Sequence, residues 1–301
     1  MDNNTRSAFI AIVGRPNVGK STILNYLLGE KVAIVSPRPQ TTRTRIMGVL
    51  TEGDTQLVFT DTPGMHSPRT KLGDFMVKEI GTGIEGVDLC VLVTEEKGPV
   101  TEAEKKLLEN IGKLGMPCVL VINKIDRLRS KELVAERIEQ LRGLYDFAAT
   151  VPVSASAGDN MDSLKKELMS LAQPGPHYFP DDTLTDQPER VIVSEIIREA
   201  ALKLLSDEVP HGIAVDIESM KERADGLLDI SATVYCEKAS HKGIIIGKQG
   251  AMPKKIGTAA RLETERVFGT RANLRLWVKV REDWRDRDGS LREFGFKNTD
   301  N

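Results

Sequence analysis

The chain has 301 residues, of which 40% are hydrophobic and 29% charged, and a formal net charge of −2. That composition fits a globular protein with room for two domains. No apolar run approaches the ~18 residues that would suggest a membrane-spanning helix. The opening stretch MDNNTRSAF has no basic segment followed by an apolar one, so no secretory signal is read there. Cys90, Cys118 and Cys236 lie far apart without a CxxC spacing, and they read as small core thiols of a reducing cytosol. His66, His177, His211 and His241 have no ligand spacing, so no metal site is read from them.

In chain order, the apolar runs AFIAIVG, QLVFTD, DLCVLVT, PCVLVIN and ATVPVSA read as strands. Charged stretches of helical period, such as TEAEKKLLENIGKL and KELVAERIEQLRGLY, separate them. This alternation predicts an α/β domain over residues 1–172, with a mostly parallel sheet and helices on both faces. A helix near Met161–Ala172 ends it. The stretch QPGPHYFPDDTLTDQP, residues 173–188, has five prolines and glycines and no periodicity, which reads as a linker.

Residues 189–287 follow a different pattern, that of a smaller α+β domain. A helix near Glu189–Ser206 precedes two strand-like runs, GIAVDIESM and LLDISATVYCE. The loop IIIGKQG, a basic helix AMPKKIGTAARLETERVFG and a last strand ANLRLWVKV complete it. Trp277 alternates with apolar neighbours and reads as core. Trp284 reads as packed, with base stacking as the alternative. Residues 288–301 read as a frayed tail. From Lys238 to Arg287 there are thirteen lysines and arginines against five acids, so this segment is near +8 in a chain of net −2. Such a split suits a polyanion-binding face, although a solvated helix face would look the same by charge alone.

Gly14-Arg15-Pro16-Asn17-Val18-Gly19-Lys20-Ser21-Thr22 lies between a strand and a helix. In that context glycines let backbone N–H groups turn toward phosphates, and the helix N-terminus adds its positive end. Lys20 is read as reaching the β- and γ-phosphates, and Ser21 as a Mg²⁺ ligand. Asp61-Thr62-Pro63-Gly64 follows a later strand. There Asp61 can hold Mg²⁺ and the Gly64 N–H can meet the γ-phosphate. Asn123-Lys124-Ile125-Asp126 follows another strand. The Asp126 carboxylate can accept from guanine N1–H and N2–H₂, neither of which adenine offers. Ser154-Ala155-Ser156 ends the next strand, where the Ala155 N–H can reach guanine O6. Together, in this order, the four motifs predict a site for GTP or GDP with Mg²⁺.

In SPRPQTTRTRI, Thr42 is favoured over Thr41 as the threonine that bridges γ-phosphate and Mg²⁺, because it stands just before Arg43. Ras-like proteins carry a water-orienting glutamine after this glycine motif, where this chain has Met65. A thioether cannot do that work, so intrinsic hydrolysis is expected to be slow, near 10⁻³ s⁻¹ to within about a hundredfold. The resemblance here is to GTPases with a hydrophobic residue at that position. Potassium-activated members of that class keep an asparagine where Asn17 stands, so Asn17 reads either as a K⁺ ligand near the β/γ bridge or as a loop residue. Lys20, Thr42, Gly64 and Asn17 are the catalytic candidates.

The second glycine loop, Gly247-Lys248-Gln249-Gly250, lacks the Lys-Ser/Thr pair of a Mg-nucleotide site. Its flanks, with Lys254, Lys255 and Arg261 on the following helix, resemble a KH domain. The KH resemblance implies that the loop joins two helices and clamps the backbone of about four single-stranded nucleotides.

With GRPNVGKS, QTTR, DTPG and NKID ahead of HKGIIIGKQG and KKIGTAAR, nearly the whole chain resembles the Era family of bacterial GTPases. The resemblance implies a monomeric cytoplasmic factor for 16S rRNA processing and 30S subunit assembly. It would bind RNA near the 3′ end of small-subunit ribosomal RNA and contact the inner membrane peripherally. The alternatives are a GTP-driven RNA-modifying or RNA-remodelling enzyme, for which no further catalytic motif is found, and a signalling GTPase with no RNA role.

Overall fold

The structure is a computed structural model that describes residues 5–38, 41–65, 70–95, 98–127, 132–206 and 209–296. Two compact units divide it. One comprises Met1–Val35, Thr42–Ser67 and Met76–Asp186, and the other Ser36–Thr41, Pro68–Phe75 and Gln187–Asn301.

In the first unit, the strands β1 (Arg6–Gly14), β2 (Ile46–Glu52), β3 (Thr55–Asp61), β4 (Leu89–Glu95), β5 (Cys118–Asn123) and β6 (Ala149–Pro152) form one sheet in the order β2-β3-β1-β4-β5-β6. Only the β2–β3 pair in that order is antiparallel. Helices α1 (Lys20–Leu28), α3 (Glu102–Lys113), α4 (Glu132–Arg142) and α5 (Met161–Leu171) alternate with the strands, as does α2 (Lys71–Ile84), which belongs to this unit from Met76 onward. The central strands are buried along their length because both faces are covered: Ile10 and Ile12 pack with α1 and α5 residues in one core, while Ala11 and Val13 pack with α3 residues in another. Helix α3 starts at a capping box, in which the Thr101 side chain accepts from the Glu104 N–H and the Glu104 carboxylate accepts from the Thr101 N–H.

Parallel strands bring the C-terminal ends of β1, β3, β5 and β6 to one edge, and the four sequence motifs lie at or just beyond those ends. Strand β2 was not among the apolar runs read from sequence. Its sequence, IMGVLTE, opens on five apolar residues, of which Ile46, Gly48 and Val49 are buried.

The stretch read as a linker is in fact tied to the first unit. Gln173–Pro174 forms β7, an antiparallel addition to β1. Buried Gln56 accepts from the backbone N–H groups of Tyr178 (2.8 Å) and Phe179 (3.0 Å) and donates to the Phe179 carbonyl (2.9 Å). The Val49 N–H donates to Leu184 O at 2.9 Å, which covers the open edge of β2. Backbone groups laid along a sheet edge need partners, and these partners lie too far away in sequence to be read from composition.

The second unit contains α6 (Glu189–Leu204), β8 (Ala214–Glu222), β9 (Leu228–Cys236), α7 (Ala239–Ile246), α8 (Ala251–Phe268), β10 (Ala272–Val280) and α9 (Asp288–Glu293). Its sheet order is β10-β9-β8, with β10 parallel to β9 and β8 antiparallel to it. The core joins α6 residues Val193 and Ile197 with Ile230, Ala232 and Val234 of β9 and Ile256 of α8.

Two readings of this part are corrected. Trp277 is not core: it is 44% exposed. Leu274, Leu276, Val278 and Val280 face the core, so the two-residue strand period places Trp277 with Arg275 and Lys279 on the other face. The segment after Arg287 is not frayed as far as Phe296. Within α9, Leu291 is buried, and Phe294 and Phe296 lie 5.3 and 6.0 Å, centroid to centroid, from the Trp284 ring. Trp284 is fully buried and donates its indole N–H to Gly212 O at 2.9 Å, as packing predicts and base stacking does not. The three cysteines are free and buried. Burial pushes the Cys90 thiol up to about 12, which disfavours the reactive thiolate.

Candidate GTP site and RNA-binding loop

Residues 14–21 run from the end of β1 into α1, and their shape depends on glycine. Gly19 has φ 101°, and a Cβ there would lie 2.1 Å from the Asn123 amide nitrogen. That nitrogen instead donates to Val18 O at 2.8 Å, fastening the guanine motif to the phosphate loop. Lys20 is buried and its ammonium donates to the carbonyls of Gly14 and Arg15, each at 3.1 Å. Burial lowers its pKa to about 8, opposed by Asp61. Phosphate oxygens would oppose that desolvation and favour the charged amine.

Three oxygen donors converge beside Lys20. Ser21 Oγ donates to Asp61 Oδ2 at 2.6 Å and lies 3.0 Å from Thr42 Oγ1, which is 3.4 Å from the same carboxylate oxygen. Asp61 is fully buried. Burial raises its pKa, while Lys20, Ser21 and Thr42 act to lower it. Its Oδ1 is buried with no hydrogen-bond partner. Hard oxygen donors around an unsatisfied carboxylate suit Mg²⁺, so the residues fit the ion that the sequence implies. The neighbouring threonines differ: Thr42 turns into this cluster, whereas Thr41 Oγ1 donates to Arg38 O at 2.7 Å. In SPRPQTTRTRI, Pro39 and Gln40 lie outside the described residues.

Gly64 packs directly on the phosphate loop, and a Cβ there would meet the backbone N and Cα of Pro16 at 2.6 Å. Thr62 is buried and donates to Ile12 O at 3.0 Å, and the Met65 N–H donates to Gly14 O at 3.2 Å. The Met65 side chain packs against the hydrophobic core. Asn17 is exposed with φ 64°, a left-handed conformation.

On the guanine side, Ser154 Oγ donates to Asp126 Oδ1 at 2.6 Å, which orients the carboxylate. The Ala155 N–H, expected to reach guanine O6, donates here to Asn123 Oδ1 at 3.1 Å. Lys124 has φ 70° and donates to the carbonyl of Asn17 at 2.5 Å and to the Glu95 carboxylate.

In the second unit, Gly247 to Gly250 join α7 to α8. Gly247, Gln249 and Gly250 all have positive φ, of 64°, 53° and 73°. Lys248 and Gln249 are exposed, as are Lys254 and Lys255 on the first turns of α8. Arg261, two turns further along, is ion-paired with Glu265 at 2.6 Å. The turn and the start of α8 thus present three exposed lysines, Lys248, Lys254 and Lys255, at a helix N-terminus, suited to phosphates.

Comparison with known proteins places both halves. A family described as 50S ribosome-binding GTPase matches residues 9–124, and the KH domain family matches residues 208–285. The GTPase Era of Ruminiclostridium cellulolyticum is 48% identical across 98% of this chain and 99% of its own. The chain belongs to the Era family of GTPases. Era of Clostridium novyi is 51% identical over 97% of this chain and 99% of its own. A variant of Aquifex aeolicus Era bound to GDP and AlF4⁻ superposes with a TM-score of 0.93 at 38% identity, covering 98% of this chain and all of that one. Era in complex with MgGDPNP and nucleotides 1506–1542 of 16S ribosomal RNA does so with the same TM-score at 37% identity and the same coverage.

This Era-family GTPase therefore carries a P-loop GTPase domain followed by a KH domain, as the sequence motifs predict. Motif reading missed the residues that hold the motifs in place. Glu95 is the clearest, since a glutamate at a strand end carries no signal until the fold sets it beside Lys124. Arg137 is another. It is buried against Glu104 (3.2 Å) and Thr94 Oγ1 (2.7 Å), and a single arginine on a charged helix looks like solvated surface.

Proposed function

We propose that the protein is a slow GTPase switch whose nucleotide state governs the hold of its KH domain on the 3′ region of small-subunit ribosomal RNA. It acts as a cytoplasmic monomer in 16S rRNA processing and 30S subunit assembly. The observation that carries this reading is one chain with two phosphate-recognising sites of different chemistry: a Ser21–Thr42–Asp61 oxygen cluster beside Lys20, and an exposed Gly247–Gly250 turn without Mg²⁺ ligands. The relative solved with MgGDPNP and 16S nucleotides 1506–1542 adds support.

In this reading Asp126 selects guanine and Lys20 holds the phosphates. Ser21, Thr42 and Asp61 hold Mg²⁺, and Gly64 directs its N–H to the γ-phosphate. Held by these residues, Mg²⁺ would supply positive charge to neutralise what develops on the phosphates in the reaction. Gly247, Lys248, Gln249 and Gly250 clamp RNA backbone, with Lys254, Lys255 and Arg261 adding positive charge. Crosslinking in cells followed by sequencing tests the RNA assignment. Reads centred on the 3′ end of 16S rRNA are expected, and a distribution without that peak would reject it.

Potassium is part of the proposal. Potassium-activated GTPases keep an asparagine where Asn17 stands, and Asn17 would help hold a monovalent cation that takes the place of an arginine finger. Turnover at fixed ionic strength should be faster in KCl than in NaCl, and equal rates would leave Asn17 a loop residue. The peripheral membrane contact rests on the family resemblance. Among the described residues no helix is long and apolar enough to cross a membrane. Flotation with anionic vesicles checks the contact.

A further inference from the structure

We propose that Glu95 is a positioning residue for nucleotide binding: it anchors Lys124 as a clasp between the guanine motif and the phosphate loop. The proposal rests on the reading that residues 123–126 form the guanine site.

Glu95 is the last residue of β4, and in the parallel β4–β5 pair it stands in register with Asn123. Lys124 is the next residue, where the chain leaves β5 with φ 70°. A non-glycine residue in that region is held there by its surroundings. Two contacts at the end of the Lys124 side chain do so. The ammonium donates to Asn17 O at 2.5 Å and forms an ion pair with the Glu95 carboxylate. The lysine therefore bridges three segments: the end of β4, the end of β5 and the middle of the phosphate loop.

The backbone that carries Glu95 is braced from behind. Thr94 Oγ1 donates to the Glu95 carbonyl at 3.3 Å and accepts from Arg137 at 2.7 Å. Arg137 also donates to Gly98 O at 3.1 Å and pairs with Glu104 at 3.2 Å, where both side chains are almost fully buried. The β4 end is thus braced from α3 and α4 before it presents Glu95 to Lys124.

A free lysine carries several rotatable bonds and a strongly hydrated head, and ordering it when nucleotide binds costs entropy. A carboxylate that orders it beforehand removes that cost from binding. The side chains of Lys124 and Glu95 are 20% and 36% exposed, so the pair is only partly screened by water. The clasp holds the guanine motif and the phosphate loop together, so its loss shows chiefly as faster nucleotide release. It touches the phosphate loop at the Asn17 carbonyl, whereas the oxygen cluster is built from Ser21, Thr42 and Asp61.

The test measures GDP and GTP-analogue release by chase of a fluorescent nucleotide from the full-length protein. The variants are E95A, E95Q, K124A and the E95A/K124A double variant. E95A is expected to speed release by about tenfold, the scale of one partly buried charge pair. Single-turnover hydrolysis of already bound GTP should stay within about twofold. E95Q, which keeps the shape and an acceptor oxygen, should have a smaller effect and carries the test if E95A folds poorly. In the K124A background, E95A should add less than about twofold, because the lysine it positions is gone. Unchanged release in E95A and E95Q, with faster release in K124A, overturns the positioning role. An equal effect of E95A with and without Lys124 overturns it too, by showing that Glu95 acts otherwise. Unchanged release in K124A itself would refute the guanine-site reading beneath the proposal.

Discussion

At the scale of single residues, two positions carry sharp expectations. Asp126 is oriented by Ser154, so Asp126→Asn keeps an oxygen that can accept from Oγ but loses the charge that pairs with guanine N1–H and N2–H₂. Affinity for GTP should fall by about a hundredfold, the worth of one strong charge-assisted hydrogen bond or two weaker ones. Xanthosine triphosphate should then be preferred, because its C2 oxygen can accept from the new amide. Competition binding with the two nucleotides reads this directly, and equal affinity of the parent protein for GTP and ATP would refute the guanine assignment. Gly64 is the second position. A methyl group there would lie 2.6 Å from the Pro16 backbone, which has no flexible end to move aside. Gly64→Ala should displace the γ-phosphate side of the loop by a fraction of an ångström. GTP turnover should drop by about a hundredfold, as small misplacements in a reacting geometry do. GDP affinity should change far less. Parallel titration with GDP and single-turnover assays separate the two effects.

At the scale of elements, the α7–loop–α8 segment is expected to bind RNA and leave nucleotide chemistry alone. Replacing Lys248 and Gln249 with aspartate removes one positive charge and adds two negative ones. The turn should survive, because Gln249 already has φ 53° and aspartate tolerates that region better than most residues. RNA affinity should fall by at least about tenfold, with a shallower dependence on salt as fewer counterions are released. GTP affinity should hold, since Lys20, Ser21, Asp61 and Asp126 are untouched. A folded variant with undiminished RNA binding would make the loop a plain turn. The neighbouring β10 shows how an element's two faces divide. Its inward leucines and valines build the core, and its outward Arg275 and Lys279 pair across the sheet with Asp229 and Glu218.

At the scale of the whole molecule, the two units meet in a thermodynamic statement. If nucleotide state alters RNA affinity by some factor, RNA must alter nucleotide affinity by the same factor. We expect RNA affinity with a non-hydrolysable GTP analogue to differ from that with GDP by at least about fivefold, the low end of measured couplings. Titrating each nucleotide with and without RNA should return the same ratio. Identical RNA affinities in both states would make the halves independent domains on one string.

What the sequence by itself determined were the features written in local spacing. Gly14 to Ser21, Asp61 to Gly64, Asn123 to Asp126 and Ser154 to Ala155 each lie on a strand end, because continuous apolar runs mark buried parallel strands. The second glycine loop could be read from its flanks, and the basic helix and final strand fell within a residue of where their patterns put them. The tertiary structure alone decided what depends on distant partners. It brought Ser21 and Asp61 to the hydroxyl of Thr42, the threonine that the position before Arg43 already favoured. It turned Trp277 outward, because strand parity counts from the core that the other elements build. It tied residues 173–186 to β1, β2 and Gln56, and it set Glu95 against Lys124. Local patterns record what each residue needs from its chain neighbours. A hydrogen bond or ion pair between residues far apart in sequence leaves no mark on either stretch, and exists only once the sheet has brought the two strand ends together.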